Sequence, residues 1–369
     1  MTLLRTRGKA IGVEHILVGR VEHSDEGIYL RNEQQSADPV AFLSEASEKE
    51  VAMPAIIGVR NLNHLDEGDI VLVDGRGSVQ SLFRGNSFHN SLFITDRCNS
   101  NCLMCSQPPK DKEDLDHYYG INNQVIDLMP QTVQELGITG GEPTLLGERF
   151  PMLLNKLKVQ LPETDVHVLT NGRSFAWKNV VDGISQIEHY KTVYGVPLYS
   201  DYAPLHDYIV QAKDAFNQTV IGLHNAARYG LRLEVRVVLH KQTYKRLPAL
   251  ARFIYQNLPF VEHIAFMGLE YTGYTPYNTE KLFINPDEYA NELAEAVEYL
   301  SSFGMHVSIY NLQHCLLPER LWKFTRNSIS DWKRGYLDEC ANCSQLESCG
   351  GVFTTSKQHS ANIKAIASV

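Results

Sequence analysis

The stretch Leu92-Phe93-Ile94-Thr95-Asp96-Arg97-Cys98-Asn99-Ser100-Asn101-Cys102-Leu103-Met104-Cys105 decides how this chain is read. Its first three residues are a short apolar run, the pattern of a buried strand, which ends at Thr95-Asp96. The strand leads straight into cysteines at 98, 102 and 105, spaced C-x3-C-x2-C. Three thiolates are too few to fill four metal positions. A cubane [4Fe–4S] cluster takes one thiolate per iron, so three ligands leave an iron open to a substrate or cofactor. The alternatives are a three-cysteine zinc site awaiting a distant histidine, or thiols that are neighbours by chance. Zinc sites usually pair ligands as C-x2-C with a second pair downstream, and this triplet departs from that.

Working outward, 369 residues correspond to two or three domains, with ample chain for a large core. Hydrophobic residues make up 43% and charged residues 21%, ordinary for a soluble globular protein. The formal net charge of −9, with no basic run of five or more, argues against broad nucleic-acid binding. Residues 1–8 do not resemble a signal peptide, and no apolar run approaches a membrane span, so the expectation is a cytoplasmic protein with no membrane partner. Disulfides are disfavoured there. The seven cysteines then split into 98, 102 and 105, and a second group of 315, 340, 343 and 349, with none left over.

Residues 1–88 read as a small β-rich domain, either a partner-docking module or a structural cap. Its clearest hairpin is Asp69–Val73, the turn Asp74-Gly75-Arg76-Gly77, then Ser78–Phe83, with the Asp-Gly pair suited to positive φ. The polar stretch Asn32–Glu50 reads as a mobile connection. From Ser91 strands alternate with helices, the texture of a parallel α/β architecture. Strands are expected at Leu92–Ile94, Glu135–Thr139, Asp165–Thr170, Lys191–Leu198, Arg232–Leu239 and Glu262–Gly268. Helical faces fall on Ile121, Val125, Leu128 and Met129, on Phe150, Leu153, Leu154 and Leu157, on Val220, Leu223 and Ala227, and over Leu247–Leu258. Six β/α units in residues 89–285 predict a partial parallel (β/α)6 barrel rather than a closed eightfold one. Residues 286–369 follow as a helix opened by Asn285-Pro286, a strand at Met305–Tyr310 and a loop-rich segment, frayed from about Thr354.

In parallel barrels ligands meet the loops after the strands' C-terminal ends. Five candidates sit there: Cys98–Cys105, Gly140-Gly141-Glu142, Asn171, Ser200 and the aromatic loop Glu270–Tyr277. Gly140-Gly141 lets backbone approach a ligand closely, and the Glu142 carboxylate can pair with an ammonium group; a plain tight turn is the bland reading. His167, His240 and His263 lie in or beside strands and read as packed. The second group, Cys315 with Cys340-x2-Cys343-x5-Cys349-Gly-Gly, supplies four ligands, enough for zinc or for a [4Fe–4S] cluster.

The C-x3-C-x2-C loop, with Met104 before its last cysteine, resembles the signature of the radical S-adenosylmethionine (SAM) superfamily. The resemblance implies a cluster on Cys98, Cys102 and Cys105 whose open iron chelates SAM and whose electron yields a 5′-deoxyadenosyl radical. It implies that Met104 lies near the adenine and that Gly140-Gly141-Glu142 meets the SAM amino group. It places Ser200 at the ribose, Arg236 at the carboxylate, and Asn171 in the third loop. The second cysteine group resembles the auxiliary-cluster "twitch" region, a shortened relative of the SPASM domain, which implies an auxiliary [4Fe–4S] cluster on Cys315, Cys340, Cys343 and Cys349. Cys98–Pro109 and Ser328–Lys333 are similar to His-Xaa-Ser system radical SAM maturases of the C type. That implies a ribosomally synthesised repeat peptide as substrate, partner maturase proteins, and an external electron donor such as flavodoxin or ferredoxin. The rival readings are a radical SAM enzyme acting on a small molecule or nucleotide, and a non-catalytic zinc-binding protein.

Overall fold

The computed structural model describes residues 5–327 and 333–367. The chain divides into two compact units. One comprises Met1–Ile94, Glu113–Ile138 and Met152–Val166; the other comprises Thr95–Lys112, Thr139–Pro151 and His167–Val369.

The first unit opens with eight short strands: β1 (Arg5–Arg7), β2 (Lys9–Ile11), β3 (Leu17–Ser24), β4 (Gly27–Arg31), β5 (Ala41–Leu43), β6 (Ala55–Ile57), β7 (Ile70–Val73) and β8 (Ser78–Phe83). They lie in the order β1-β8-β7-β3-β4-β5-β6-β2. Strands β1 and β2 stand at opposite ends of that order yet are separated in the chain by Gly8 alone. Arg5 is opposite Gln80 at one end and Lys9 opposite Ile57 at the other, so a single bent segment closes the ring. Glycine is required at the bend: a Cβ on Gly8 would stand 2.4 Å from the Ile57 carbonyl oxygen. The interior is filled by Val21, Leu30, Leu43, Ile56, Val71, Val73 and Val79. Two details differ from the sequence reading. The segment 32–50 holds β5, whose Ala41, Phe42 and Leu43 are all buried; three adjacent apolar residues outweigh their polar flanks. In the β7–β8 turn the positive φ falls on Gly77, not Gly75, because the Asp74 carboxylate accepts from the amides of Arg76 and Ser78 and sets the turn itself.

The parallel sheet contains β9 (Asn90–Phe93), β10 (Glu135–Thr139), β11 (Asp165–Leu169), β12 (Thr192–Pro197), β13 (Arg232–Val238), β14 (His263–Met267), β15 (Val307–Tyr310) and β16 (Thr325–Arg326), side by side in chain order. The expected strands stand within a few residues of their predicted ends. The sheet has two edges and no closure among the described residues, a partial α/β barrel. Pairings from β12 through β16 are all parallel. Strands β15 and β16 extend the sheet beyond the six predicted.

Helices α1 (Leu115–Leu128), α2 (Arg149–Gln160), α3 (Lys178–Ser185), α4 (Ala203–Val210), α5 (Ala215–Arg228), α6 (Leu247–Asn257), α7 (Thr279–Leu282) and α8 (Ala290–Ser302) complete the layer arrangement. Each long helix buries an apolar stripe, Leu247, Leu250, Ala251 and Ile254 in α6 for example. Before α8, Asn285 and Glu288 form a reciprocal capping box. Short α3 and α4 escape the sequence reading because one or two turns carry too little periodicity. A final ribbon pairs β17 (Arg334–Gly335) with β18 (Val352–Phe353). No described helix is long and apolar enough to cross a membrane. Ser328–Trp332, which carried part of the maturase likeness, lie outside the described residues.

Candidate functional site

The cysteine loop is held by backbone at its root. Gly141 N donates to the Thr95 carbonyl (2.7 Å) and Glu142 N to the Arg97 carbonyl (2.8 Å), a two-bond splice between the loops after β9 and β10. The approach is so close that a Cβ on Gly141 would stand 1.9 Å from the Arg97 oxygen. Further along, Asn101 N and Leu103 N donate to the carbonyls of Val210 and Ile209 at the end of α4. Leu103 and Met104 are buried in an apolar cluster with Tyr199, Ile209 and Leu282.

The three thiols lie close enough to act on one another electrostatically. Burial, then the Glu142 carboxylate, pushes Cys98 up to about 11. Burial, then its two sister thiols, pushes Cys102 further up, and burial raises Cys105. Without a cation these sulfurs stay protonated at neutral pH. A soft, half-buried donor set that ionises only with a positive partner fits metal ligation, which draws off the protons. Ser100 N donates to Cys98 Sγ (3.4 Å), a bond that favours its thiolate.

Glu142 is fully buried. Its Oε1 accepts from Thr144 N (3.0 Å), Thr144 Oγ1 (2.7 Å) and Thr170 Oγ1 (2.6 Å), and its Oε2 accepts from Asn171 N (2.7 Å). The carboxylate thus locks the loops after β10 and β11 together. Asn171 turns back to the cysteine loop, its Nδ2 donating to Asn99 Oδ1 (2.6 Å) and lying 3.8 Å from Cys98 Sγ. Sequence reasoning missed Arg173, whose Nη1 donates to the Asn99 carbonyl and to Ser100 Oγ. The only local signal was a basic residue just after Asn171-Gly172.

Ser200 is wholly buried and its Oγ accepts from Tyr202 N (3.1 Å), shaping the turn into α4. Arg236 gives Nη1 to Glu234 Oε1 (2.8 Å) and Nη2 to Met267 Sδ (3.0 Å). Glu234, also missed, is the centre of a buried polar network. Its Oε2 bonds His263 Nδ1 (2.7 Å), His167 Nε2 stands 3.4 Å from Oε1, and His263 Nε2 reaches Ser308 Oγ (3.0 Å). Burial pulls the Glu234 pKa upward, but His167, His263 and Arg236 outweigh it and hold the carboxyl far below its ordinary range. His167, Glu234, His263 and Ser308 come from strands β11, β13, β14 and β15, and each residue alone looks like an unremarkable strand position. His240 is packed as expected, pushed down to about 3 by burial.

The loop after β14 is structural as well as aromatic. Tyr274 N donates to the Cys105 carbonyl (2.9 Å) and Asn278 Nδ2 to the Leu103 carbonyl (2.9 Å). At its start, Glu270 pairs with Lys333 (3.1 Å), and Tyr271 N donates to Ser356 Oγ (2.8 Å). One loop therefore braces both the first cysteine group and the C-terminal segment.

Cys315, Cys340, Cys343 and Cys349 line one pocket. Burial raises Cys315 and Cys340. Trp322 stacks on His314 at 4.8 Å beside it. The tail is not frayed at Thr354: Ser344 N donates to the Ile366 carbonyl, and Ile363 is only 6% exposed. One buried isoleucine anchors an otherwise polar stretch. Among the described residues, no three His, Cys, Asp or Glu side chains are drawn together tightly enough for a single metal ion.

Residues 92–254 match the Radical SAM superfamily model. A Methanocaldococcus jannaschii protein bearing the name of a glycyl-radical enzyme activating enzyme is 32% identical over 97 residues, 24% of this chain and 25% of that protein. Streptococcus suis SuiB bound to S-adenosylmethionine superposes with a TM-score of 0.48 at 16% identity, covering 62% of this chain and 52% of SuiB. The enzyme anSMEcpe with bound AdoMet superposes with a TM-score of 0.44 at 16% identity, covering 59% of this chain and 62% of its own. The chain thus spans a quarter of that relative and between about half and two thirds of these structures.

Proposed function

We propose that this chain, built around a radical SAM domain at residues 92–254, is a radical SAM maturase acting on a ribosomally synthesised peptide of the His-Xaa-Ser repeat type. The observation that carries the enzymatic part is the half-buried cysteine trio, spliced by Gly141 and Glu142 to the next strand's loop at the ligand-facing end of the sheet. Cys98, Cys102 and Cys105 are the ligands for a [4Fe–4S] cluster, and Gly140–Glu142, Met104, Asn171, Ser200 and Arg236 surround the SAM position. When bound there, cluster and SAM supply one-electron reductive cleavage to a 5′-deoxyadenosyl radical, with the electron brought by a donor such as flavodoxin or ferredoxin.

The chain's own residues provide placement. The Gly141 splice fixes the root of the cysteine loop, and Glu142 holds the neighbouring loops in register. Leu103, Met104 and Tyr199 wall the position with apolar surface and exclude water. Ser200 acts through the turn it shapes rather than through an exposed hydroxyl. Arg236 can turn to a carboxylate only by leaving Glu234, whose histidines would then compensate its charge. The second group, Cys315, Cys340, Cys343 and Cys349, supplies four thiolates around one pocket, the donor set of an auxiliary [4Fe–4S] cluster. The peptide assignment is supported by the likeness of Cys98–Pro109 to His-Xaa-Ser maturases.

The test is metal analysis after anaerobic purification, followed by mass spectrometry of the repeat peptide co-expressed with this protein. About eight irons with matching sulfide, four per cluster, and a mass change in the peptide are expected. Replacing Cys98, Cys102 and Cys105 by alanine should leave about four irons and no modification. Zinc without iron would end the enzymatic reading, and an unmodified peptide beside active SAM cleavage would end the substrate assignment.

A further inference from the structure

The four-cysteine pocket is not finished by its cysteines. The chain returns at Ser360–Ile366 and lies along it, with Lys364 and Ile366 among the lining residues. Ile366 N donates to Cys343 Sγ at 3.3 Å. The strip is fixed on several sides. Ser344 N donates to the Ile366 carbonyl (2.9 Å), Asn362 Nδ2 donates to Asp287 Oδ2 (2.9 Å), and Ile363 packs with Leu316, Val352, Cys315 and Cys340.

We propose that Ser360–Ile366 is a cap on the second cysteine site, and that its Ile366 amide is a hydrogen-bond donor to the cluster's sulfurs that sets the reduction equilibrium and helps retain the iron. The inference rests on the reading of this site as a [4Fe–4S] centre. A strip serving only to cover apolar surface would need Ile363 and nothing more. An amide aimed at Cys343 Sγ does something else: an N–H donor stabilises negative charge on sulfur. Hydrogen bonds to the sulfurs and solvent exposure are what tune the potential of such clusters. The cap acts on both, since it supplies a donor and excludes water.

The test uses the full chain with Cys98, Cys102 and Cys105 replaced by alanine, so that only the second site reports. Three changes are made in that background: Ile366→Pro, which removes the N–H; Ile366→Ala, which keeps it; and a chain ending at Ser360. Reduction is followed by EPR during a potentiometric titration, and iron loss by transfer to bathophenanthroline. Ile366→Ala should match the parent. Ile366→Pro should shift the reduction equilibrium about tenfold toward the oxidised form, ~59 mV for a one-electron couple. The shortened chain should release iron on the order of tenfold faster, as exposure rises. An iron-loaded parent whose proline and shortened variants keep its midpoint and release rate overturns the cap. A parent that takes up no iron overturns the four-thiolate reading itself, and the cap with it.

Discussion

Replacing Gly141 by alanine probes the splice on which the first cysteine group hangs. The new Cβ would stand 1.9 Å from the Arg97 oxygen, 2.5 Å from its carbonyl carbon and 3.2 Å from its nitrogen. All three are backbone atoms, so no side-chain rotation relieves the contact. The two segments must part by more than an ångström, which breaks Gly141 N to Thr95 O and Glu142 N to Arg97 O. Overpacking costs about 1–3 kcal/mol and each lost bond about 1 kcal/mol, so the substitution should destabilise its unit by roughly 4 kcal/mol. At roughly 2–4 °C per kcal/mol for a unit of this size, the melting temperature of the iron-free protein should fall by about 10 °C. Because Arg97 immediately precedes Cys98, reconstituted iron at the first site should fall with it. Gly183→Ala is the control: that glycine lies in α3 with nothing within 4 Å of a Cβ, and the change should stabilise by up to about 1 kcal/mol. A Gly141→Ala protein that melts within about 1 °C of the parent and takes up its full iron would refute the reasoning.

Glu234→Gln should cost about 3–5 kcal/mol in urea unfolding of the iron-free protein, because it strands Arg236 in a buried position. Adding Arg236→Met should recover part of that, and a single-variant loss below about 1 kcal/mol would show the network to be solvated. Acid should also weaken the fold through two buried histidines. Burial pushes His206 down to about 4 and His240 down to about 3. Below the ordinary value of about 6.5 the unfolded chain takes up protons that the folded protein refuses. Their stabilisation is therefore complete well above that pH and declines below it, by about 3 kcal/mol between pH 6.5 and 5 for the pair. Urea midpoints at the two pH values measure it, and His240→Asn should roughly halve the slope; an unchanged slope removes the assignment.

Much of the parallel sheet was legible because its strands are short apolar runs bounded by turn residues, a signal carried by each segment alone. Glu135–Thr139 was located to the residue. The cysteine spacing was legible for the same reason. Features made by residues far apart in the chain were not. Glu234 meets His167 and His263 only because β11, β13 and β14 bring them together, and nothing in Arg232–Val238 announces it. The tail looked unstructured because its hold depends on one isoleucine and on backbone amides, which leave no mark in composition. Gly75 was favoured over Gly77 because the dipeptide rule takes no account of what the Asp74 side chain does.

The bent segment at Gly8 has a consequence for how the first unit is made. Arg5–Arg7 pairs with Ser78–Gln80 and Lys9–Ile11 with Ala55–Ile57, partners some fifty to seventy residues downstream. During synthesis those seven residues must wait, unpaired, until β6 and then β8 have emerged. The ring is the last feature these eight strands complete, and high contact order of this sort makes for slow folding. Until it shuts, β6 and β8 each present an open edge on which another chain could add a strand.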